Sequence, residues 1–215
     1  MHLPMKITKF GHCCILIEED LVRILIDPGN YSVSQNEVTN VHVVLITHEH
    51  QDHLHIESLK LILKNNSKAR IITNRAVGKI LAKENINCEI LEDGQFTNEG
   101  GVAIEAYENE HATMYPTLPR CQNTGFIIAS SFYYPGDTLK IPKKKIEILA
   151  LPVAGPWLKL QEAIEFALAV KPAICFPVHD GNLKNLGTTH KIPTQILQEQ
   201  GITYIILAEN KTIEV

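Results

Sequence analysis

The sequence predicts an α/β chain in which two β-sheets are covered by helices. Short β-branched and apolar runs of strand length alternate with segments of helical period, and this order occurs in both halves of the chain. Clusters of turn residues separate the runs. The chain has 215 residues, 45% of them hydrophobic, which is enough to bury one good core. We therefore expect residues 1–215 to form a single domain.

In the first half, the apolar runs predict strands at residues 6–10, 13–18, 22–26, 41–46, 70–73, 88–91 and 102–107. Residues 30–40 are polar and are predicted to be a loop. Apolar positions between residues 56 and 63 predict a helix that ends near residue 65. Asn74 can cap a second helix over about residues 75–85, with Val77 and Leu81 on its apolar face.

The second half repeats this arrangement. Residues 125–129 and 132–134 predict a hairpin, and residues 147–152 predict a strand. A helix over residues 158–170 and a strand over 173–177 follow. Pro193 is predicted to begin a last helix that reaches about residue 200, and a strand over 203–207 closes a sheet.

Composition and charge exclude several classes of protein. The net charge of −4 gives no electrostatic footprint for nucleic acid, and the one basic run, 143–145, is typical of a solvated turn. Five cysteines, an odd number, do not form a secreted disulfide framework, so we expect reduced thiols in the cytoplasm. Residues 1–6 lack the apolar core of a signal peptide, and no apolar run approaches the roughly 18 residues of a membrane span. We expect a soluble protein without a membrane partner.

Candidate metal ligands are concentrated directly after the apolar run 41–46, at His48, His50, Asp52 and His53. Imidazole and carboxylate groups both bind divalent cations. In an extended segment His48 and His50 project to the same side, whereas Asp52 and His53 are adjacent and must diverge. This spacing indicates two neighbouring metals. A polar loop that is rich in histidine by chance is the alternative, and the density of ligands disfavours it.

The motif His-x-His-x-Asp-His at a strand end resembles the signature of the metallo-β-lactamase-fold hydrolases. That family needs three further ligands in the order His, Asp, His, and the chain offers His111, Asp137 and His179, each after an apolar run. Gly11-His12 and residues 24–29 also resemble the opening strands of the family, so the resemblance covers nearly the whole chain. It points to the compact branch that contains ascorbate-6-phosphate lactonase-like proteins and small metal-dependent hydrolases.

The resemblance implies a four-layer αββα sandwich of two mixed sheets flanked by helices, with the ligands on loops at one edge. It also implies two metals. His48, His50 and His111 would hold the first, Asp52, His53 and His179 would hold the second, and Asp137 would bridge them. Two divalent cations about 3.5–4 Å apart can share a water and lower its pKa, which makes a bridging hydroxide the expected nucleophile. We expect zinc, with manganese or iron as alternatives. Catalytic roles are assigned to Asp52, His53 and Asp137.

Other residues receive supporting roles or none. Asp27 is expected to orient a ligand imidazole from behind, and His12 to support the site rather than bind metal. Trp157, Tyr115 and Arg120 are candidates for the substrate pocket, although anchoring of a helix explains Trp157 and surface solvation explains Arg120 equally well. Two sets are assigned to packing or the surface: the cysteines Cys13, Cys14, Cys88, Cys121 and Cys175, and the histidines His2, His42, His55 and His190.

These observations lead to the hypothesis of a binuclear metal-dependent hydrolase that acts on a small ester, lactone or phosphoester. A nuclease of the same superfamily is one alternative, and the acidic balance argues against it. A di-iron redox enzyme is another, but flavin-linked relatives generally carry a carboxylate where this chain has His50. A non-catalytic metal-binding module is the third, and such a module would be expected to lose ligands. The oligomeric state stays open, a homo-oligomer included.

Overall fold

The structure is a computed structural model that describes residues 4–215, apart from the side chains of residues 108 and 109. Within this range the chain forms two seven-stranded β-sheets and four α-helices. Of the histidines assigned to packing or the surface, His2 lies outside the described residues.

The first sheet is mixed. Its strands are, in spatial order, β14 (Lys211–Glu214), β1 (Lys6–Gly11), β2 (Cys14–Glu19), β3 (Val22–Ile26), β4 (Val43–Leu45), β5 (Arg70–Thr73) and β6 (Glu89–Ile90). Neighbouring strands are antiparallel from β14 to β3 and parallel from β3 to β6. The carboxyl ends of β3, β4 and β5 therefore lie at one edge of the sheet.

The second sheet has the same division. Its strands are, in spatial order, β13 (Thr203–Tyr204), β12 (Ile174–Val178), β11 (Ile148–Pro152), β10 (Phe132–Tyr134), β9 (Gln122–Ile128), β8 (Val102–Glu110) and β7 (Phe96–Glu99). Strands β7 to β10 are antiparallel and β10 to β13 are parallel. The loops that follow the parallel strands of both sheets carry most of the candidate ligands.

Helices cover the outer face of each sheet. They are α1 (Ile56–Asn65) and α2 (Arg75–Lys83) on the first sheet, and α3 (Leu160–Val170) and α4 (Gly187–Glu199) on the second. Between the sheets lies a core that includes the buried side chains of Ile7, Ile24, Phe126 and Phe176. Burial of each such side chain stabilises the fold by about 1.5–3 kcal/mol. This arrangement confirms the predicted αββα sandwich of two mixed sheets.

Across residues 4–215, the helices are too short or too polar to span a bilayer.

Helix α2 begins where the sequence places it, because Asn74 Oδ1 accepts a hydrogen bond from Val77 N–H at 3.1 Å. That cap satisfies one of the amides that a helix start leaves without an intrahelical partner.

Four elements differ from the sequence-based predictions. Helix α4 begins at Gly187 rather than at Pro193, because the buried side chain of His190 and that of Pro193 pack inward and hold the earlier turns in place. Strands β7 and β14 were not predicted. Each of these four-residue segments contains a single apolar residue, so neither shows an alternation of apolar and polar residues, and β14 forms only because β1 offers it an edge. Residues 34–37, predicted as loop, contain a short 3-10 helix.

Candidate metal centre

The loop after β4 carries four of the candidate ligands and is held from both sheets. Asp27, at the end of β3, accepts hydrogen bonds from Thr47 N–H at 2.8 Å and from Thr47 Oγ1 at 2.7 Å. The carbonyl oxygen of Thr47 accepts from Asn74 Nδ2 at 2.8 Å and from Thr124 N–H at 2.9 Å. Thr47 and Asp27 are both fully buried. These hydrogen bonds fix the start of the loop at Thr47, directly before the first candidate ligand.

The first ligand set consists of His48, His50 and His111. Together with Asp137 these residues place one ligand atom each within 4.8 Å of one another. Thr47 Oγ1 donates its hydrogen to Asp27. It therefore accepts a hydrogen bond from His48 Nδ1–H at 3.0 Å, which leaves His48 Nε2 facing the cluster. His111 Nδ1 donates to the carbonyl oxygen of Ala112 at 2.7 Å and likewise presents Nε2.

The second ligand set consists of Asp52, His53 and His179, whose ligand atoms also lie within 4.8 Å of one another. His53 Nδ1 donates to Asp27 Oδ2 at 2.6 Å, so its Nε2 faces the cluster. His179 Nε2 lies 3.3 Å from Asp52 Oδ2. His53 and His179 are buried, and Asp52 is partly exposed. The carboxylate of Asp27 therefore stands behind a ligand imidazole, the arrangement that fixes its tautomer and raises its basicity.

Asp137 lies between the two ligand sets. Its Oδ1 is 3.1 Å from His53 Nε2, and its Oδ2 is 3.2 Å from His111 Nε2 and 3.1 Å from His179 Nε2. Asn123 Oδ1 accepts from Asp137 N–H at 3.0 Å and holds its backbone. One carboxylate thus contacts both sets, as a bridging ligand requires.

Two groups outside the ligand sets support them. Gly181 N–H donates to His12 Nδ1 at 3.0 Å, so the Nε2–H of His12 donates to Asp52 Oδ2 at 3.1 Å. Trp157 Nε1–H donates to Asp137 Oδ2 at 3.0 Å, and the indole contacts the rings of His111 and His179. Trp157 is buried, so it lies against the carboxylate of Asp137 rather than on an open pocket wall.

The ionised carboxylate at the middle of the cluster needs positive charge to balance it. Burial raises the pKa of Asp137, but the charges of His53 and His179 hold it well below its usual range, so the carboxylate stays ionised. Burial alone would lower the pKa of His179, yet Cys13 and Asp137 raise it to about 11. Burial lowers the pKa of His48 well below its usual value and keeps that imidazole neutral. Protons or metal ions supply the balancing charge, and metal binding would release the protons.

The donor set fits a metal ion. Among the described residues, the buried atoms His111 Nε2, His179 Nε2 and Asp137 Oδ1 have no hydrogen-bond partner of acceptable geometry. Buried polar atoms are normally paired, so three convergent ones without partners indicate a missing counterpart. Imidazole nitrogens and carboxylate oxygens are ligands that zinc, manganese and iron accept. His48, His50, His111, Asp52, His53, His179 and Asp137 could therefore hold such ions.

A cavity of about 170 Å³ opens beside the first ligand set. Its lining includes His50, Glu49, Met114, Arg120 and Cys121. Arg120, a predicted pocket residue, is therefore on the wall, where it forms an ion pair with Glu110. The other predicted residue of this segment, Tyr115, is 61% exposed and is not among the lining residues.

Two of the cysteines assigned to packing also contact candidate metal ligands. Cys13 Sγ lies 3.5 Å from His53 Nε2, and Cys121 Sγ lies 3.8 Å from His50 Nε2. Burial raises the pKa of the Cys13 thiol, but the charges of His53 and His12 lower it to about 7. Residue spacing does not reveal these contacts, because Cys13 and His53 are 40 positions apart. Cys14 and Cys175 are buried among apolar side chains, in agreement with packing.

Three histidines assigned to the surface or to packing have specific partners. His190 is buried, and its Nε2 lies 3.0 Å from Asp180 Oδ2. His42 Nδ1 accepts from Arg23 N–H at 3.0 Å. His55 Nδ1 lies 2.9 Å from Ser58 Oγ at the start of α1. These partners come from other elements or from a helix start, which the sequence spacing does not show.

The loop that carries His179 is held by a buried ion pair. Lys9 Nζ donates to Asp180 Oδ1 at 2.6 Å and to the carbonyl oxygen of Pro177 at 2.9 Å, and Lys9 and Asp180 are both 3% exposed. Asp180 follows His179, a ligand with φ of 62°. The pair therefore stabilises the turn that presents this ligand.

Comparison with known proteins places the chain among metal-dependent enzymes and their relatives. The family model described as "Beta-lactamase superfamily domain" matches residues 6–179. The Mycobacterium tuberculosis protein Rv0786c is 31% identical over 180 residues, which cover 81% of this chain and 84% of that protein. A UPF0173 metal-dependent hydrolase of Carboxydothermus hydrogenoformans is 25% identical over 194 residues, 81% of this chain and 84% of that protein. A crystal structure from Parabacteroides distasonis, described as a candidate metal-dependent hydrolase, has a TM-score of 0.77 at 27% identity and covers 94% of this chain and 92% of its own.

Proposed function

The chain belongs to the β-lactamase superfamily, and on that premise we propose that it is a metal-dependent hydrolase with a binuclear centre that cleaves a small ester, lactone or phosphoester. The observation that carries this proposal is the position of Asp137. Its carboxylate contacts both ligand sets: Oδ1 lies 3.1 Å from His53 Nε2, and Oδ2 lies 3.2 Å from His111 Nε2 and 3.1 Å from His179 Nε2. A single ion would not need a carboxylate that contacts both sets.

Zinc is our expectation for both ions, with manganese or iron as alternatives. The first ligand set would hold one ion, the second ligand set the other, and Asp137 both. When bound, such a pair supplies a water of lowered pKa as nucleophile and polarises the scissile carbonyl or phosphoryl oxygen. No serine or cysteine nucleophile is then needed.

The side chains of the chain itself supply orientation. Asp27 holds His53 through the 2.6 Å hydrogen bond and keeps its Nε2 directed at the centre. His12 donates to Asp52 Oδ2 and so limits the rotation of that carboxylate. Trp157 packs over Asp137 and excludes water from the buried side of the bridging carboxylate. Ligand side chains whose rotamers are fixed in this way would hold the reacting groups in a single geometry.

The size of the cavity favours a small substrate. Its volume of about 170 Å³ is below the roughly 300–1,000 Å³ of pockets for drug-sized ligands. The wall carries both the acidic Glu49 and the basic Arg120, so no single charge dominates. His50 and His111 belong to both the wall and the first ligand set, which places a bound substrate next to the proposed centre.

The first experiment is elemental analysis of protein purified without chelators and without a histidine tag, followed by a screen of lactones, phosphodiesters and phosphomonoesters. We expect two zinc or manganese ions per chain and hydrolysis of at least one class. Two irons per chain without hydrolysis would overturn the proposal in favour of redox chemistry. A chain that stays empty after metal is offered would contradict the metal centre itself.

A further inference from the structure

The hairpin between β1 and β2 delivers a thiol to the second ligand set. Gly11 pairs with Cys14, so His12 and Cys13 form a two-residue turn, and His12 adopts a φ of 46°. Both side chains of the turn are 1% exposed. A buried turn residue with positive φ is uncommon and marks a position that the surrounding structure enforces.

The backbone of this turn is held in place from the opposite sheet. Tyr134 Oη–H donates to the carbonyl oxygen of Cys13 at 2.8 Å, and Gly181 N–H donates to His12 Nδ1 at 3.0 Å. A Cβ at Gly181 would lie 2.9 Å from the backbone nitrogen of His12, so the two segments are in close contact. The position of Cys13 Sγ is therefore determined by packing.

The distances around Cys13 match those expected between two ligands of one metal ion. Its Sγ lies 3.5 Å from His53 Nε2, and it groups with His12 and His179 within 4.8 Å. Zn–N bonds of about 2.05 Å and Zn–S bonds of about 2.3 Å at a tetrahedral angle separate N and S by about 3.6 Å. His179, which is 3% exposed, has its Nε2 without a hydrogen-bond partner of acceptable geometry, and this atom lies 3.3 Å from Asp52 Oδ2. The unpaired Nε2 independently indicates a ligand at the second ligand set.

On the basis of the proposed binuclear function, we propose that the Cys13 thiolate is a further ligand of the ion held by Asp52, His53 and His179. A thiol–imidazole hydrogen bond would also explain the 3.5 Å contact, but only while His53 Nε2 is free. Once Nε2 binds an ion, Cys13 Sγ faces that ion, and coordination deprotonates a thiol outright. The proton leaves to solvent as the sulfur–metal bond forms.

A thiolate makes this ligand set softer than the first, which offers only imidazole and carboxylate. Soft sulfur ligands favour zinc over manganese, whereas nitrogen and oxygen ligands discriminate less. Substitution of Cys13 by Ser should therefore weaken zinc at the second ligand set by at least about tenfold. It should change manganese affinity much less.

The test is zinc-edge X-ray absorption on protein loaded with two zinc ions per chain. The wild type should show a sulfur shell at about 2.3 Å, which Cys13→Ser should lose. Cys121→Ser is the matched control, because Cys121 Sγ also lies near a ligand, 3.8 Å from His50 Nε2, but at the first ligand set. That variant should retain the sulfur shell.

Each other outcome has a separate meaning. Two bound zinc ions with only nitrogen and oxygen neighbours would overturn the Cys13 assignment and leave the proposed function standing. Loss of the sulfur shell in Cys121→Ser but not in Cys13→Ser would also overturn it. A wild type that binds manganese or iron but no zinc would overturn the Cys13 assignment alone, and one that binds none of these metals would contradict the proposed function as well. If Cys13→Ser fails to fold, Cys13→Ala and the wild-type spectrum decide the question.

Discussion

The two ligand sets differ in what holds their side chains. In the second ligand set, ionisable groups stand behind the ligands: Asp27 behind His53, and His12 behind Asp52. In the first, the partners are neutral: Thr47 Oγ1 for His48 and the Ala112 carbonyl oxygen for His111. A carboxylate behind an imidazole raises its basicity as a ligand.

Position relative to the cavity follows the same division. His50 and His111 of the first ligand set line the cavity, whereas Asp52, His53 and His179 are not among its lining residues. If both ligand sets hold an ion, this difference favours retention of the ion at the second and access of substrate at the first. We expect the second ligand set to bind its ion more tightly.

The largest effect should come from the residue that both sets share. Asp137→Ala removes a ligand from each, so metal content should fall from two ions per chain to less than one. Hydrolysis should decrease by more than about 100-fold, the upper range for loss of a group that only supports a ligand. Elemental analysis and the substrate screen measure both. His42→Ala, which alters a histidine bonded to Arg23, is the control with unchanged metal content. Full metal occupancy in Asp137→Ala would refute the bridge.

A large loss of stability is expected from the ion pair behind His179. Lys9→Met leaves the buried carboxylate of Asp180 without its lysine and with His190 as its remaining side-chain partner. Removal of one partner of a buried pair costs about 3–5 kcal/mol. Urea denaturation of the metal-free protein measures this free energy of unfolding. Lys6→Met removes an exposed pair with Glu214 and should cost less than about 1 kcal/mol. Equal losses in the free energy of unfolding of the two variants would show that burial does not determine the contribution of the Lys9 pair.

The support of His53 can be tested separately from its ligand atom. Asp27→Asn keeps the shape and tolerates the φ of 48°, but it removes the charge behind the imidazole. Zinc affinity at the second ligand set should fall about 10–100-fold, while the first is affected less. Stepwise zinc titration against a competing chelator gives both constants. An equal decrease at both sets would argue that Asp27 acts on the whole loop through Thr47.

The difference between the sets predicts that the ions leave in order. Timed exposure of the two-zinc protein to a chelator should remove the ion of the first ligand set before the other. A difference of at least about tenfold in affinity is expected from the carboxylate support. Residual zinc per chain and the remaining X-ray absorption spectrum identify which ion is left. Simultaneous loss of both would remove the distinction between retention and access.

The smallest effect on metal binding is expected at Trp157. Trp157→Phe keeps most of the buried ring but deletes the 3.0 Å hydrogen bond to Asp137 Oδ2. The free energy of unfolding of the metal-free protein should fall by about 1.5–3 kcal/mol, the usual net value of a hydrogen bond to a charged group. Metal content should remain at two ions per chain. Thermal unfolding with and without zinc measures the change, and loss of an ion would instead make Trp157 necessary for the geometry of the bridge.

The sequence by itself determined the features that depend on local pattern. The strand at residues 132–134, the capped start of α2 at Asn74 and the alternation that leads to two covered sheets all follow from the period of apolar residues or from a single cap. The order of the seven candidate ligands is also visible in the sequence, because each follows an apolar run. The structure brings these seven side chains together, as the resemblance implies.

Only the tertiary structure decided the contacts between distant segments. Lys9 meets Asp180 across 171 positions, and Cys13 meets His53 across 40, so no local period reveals either pair. Strand β14 forms because β1 has a free edge, although its own residues are mostly exposed and polar. The physical reason is the same in each case. Local propensity depends on neighbours in the chain, whereas the partners of buried thiols, lysines and strand edges are chosen by packing.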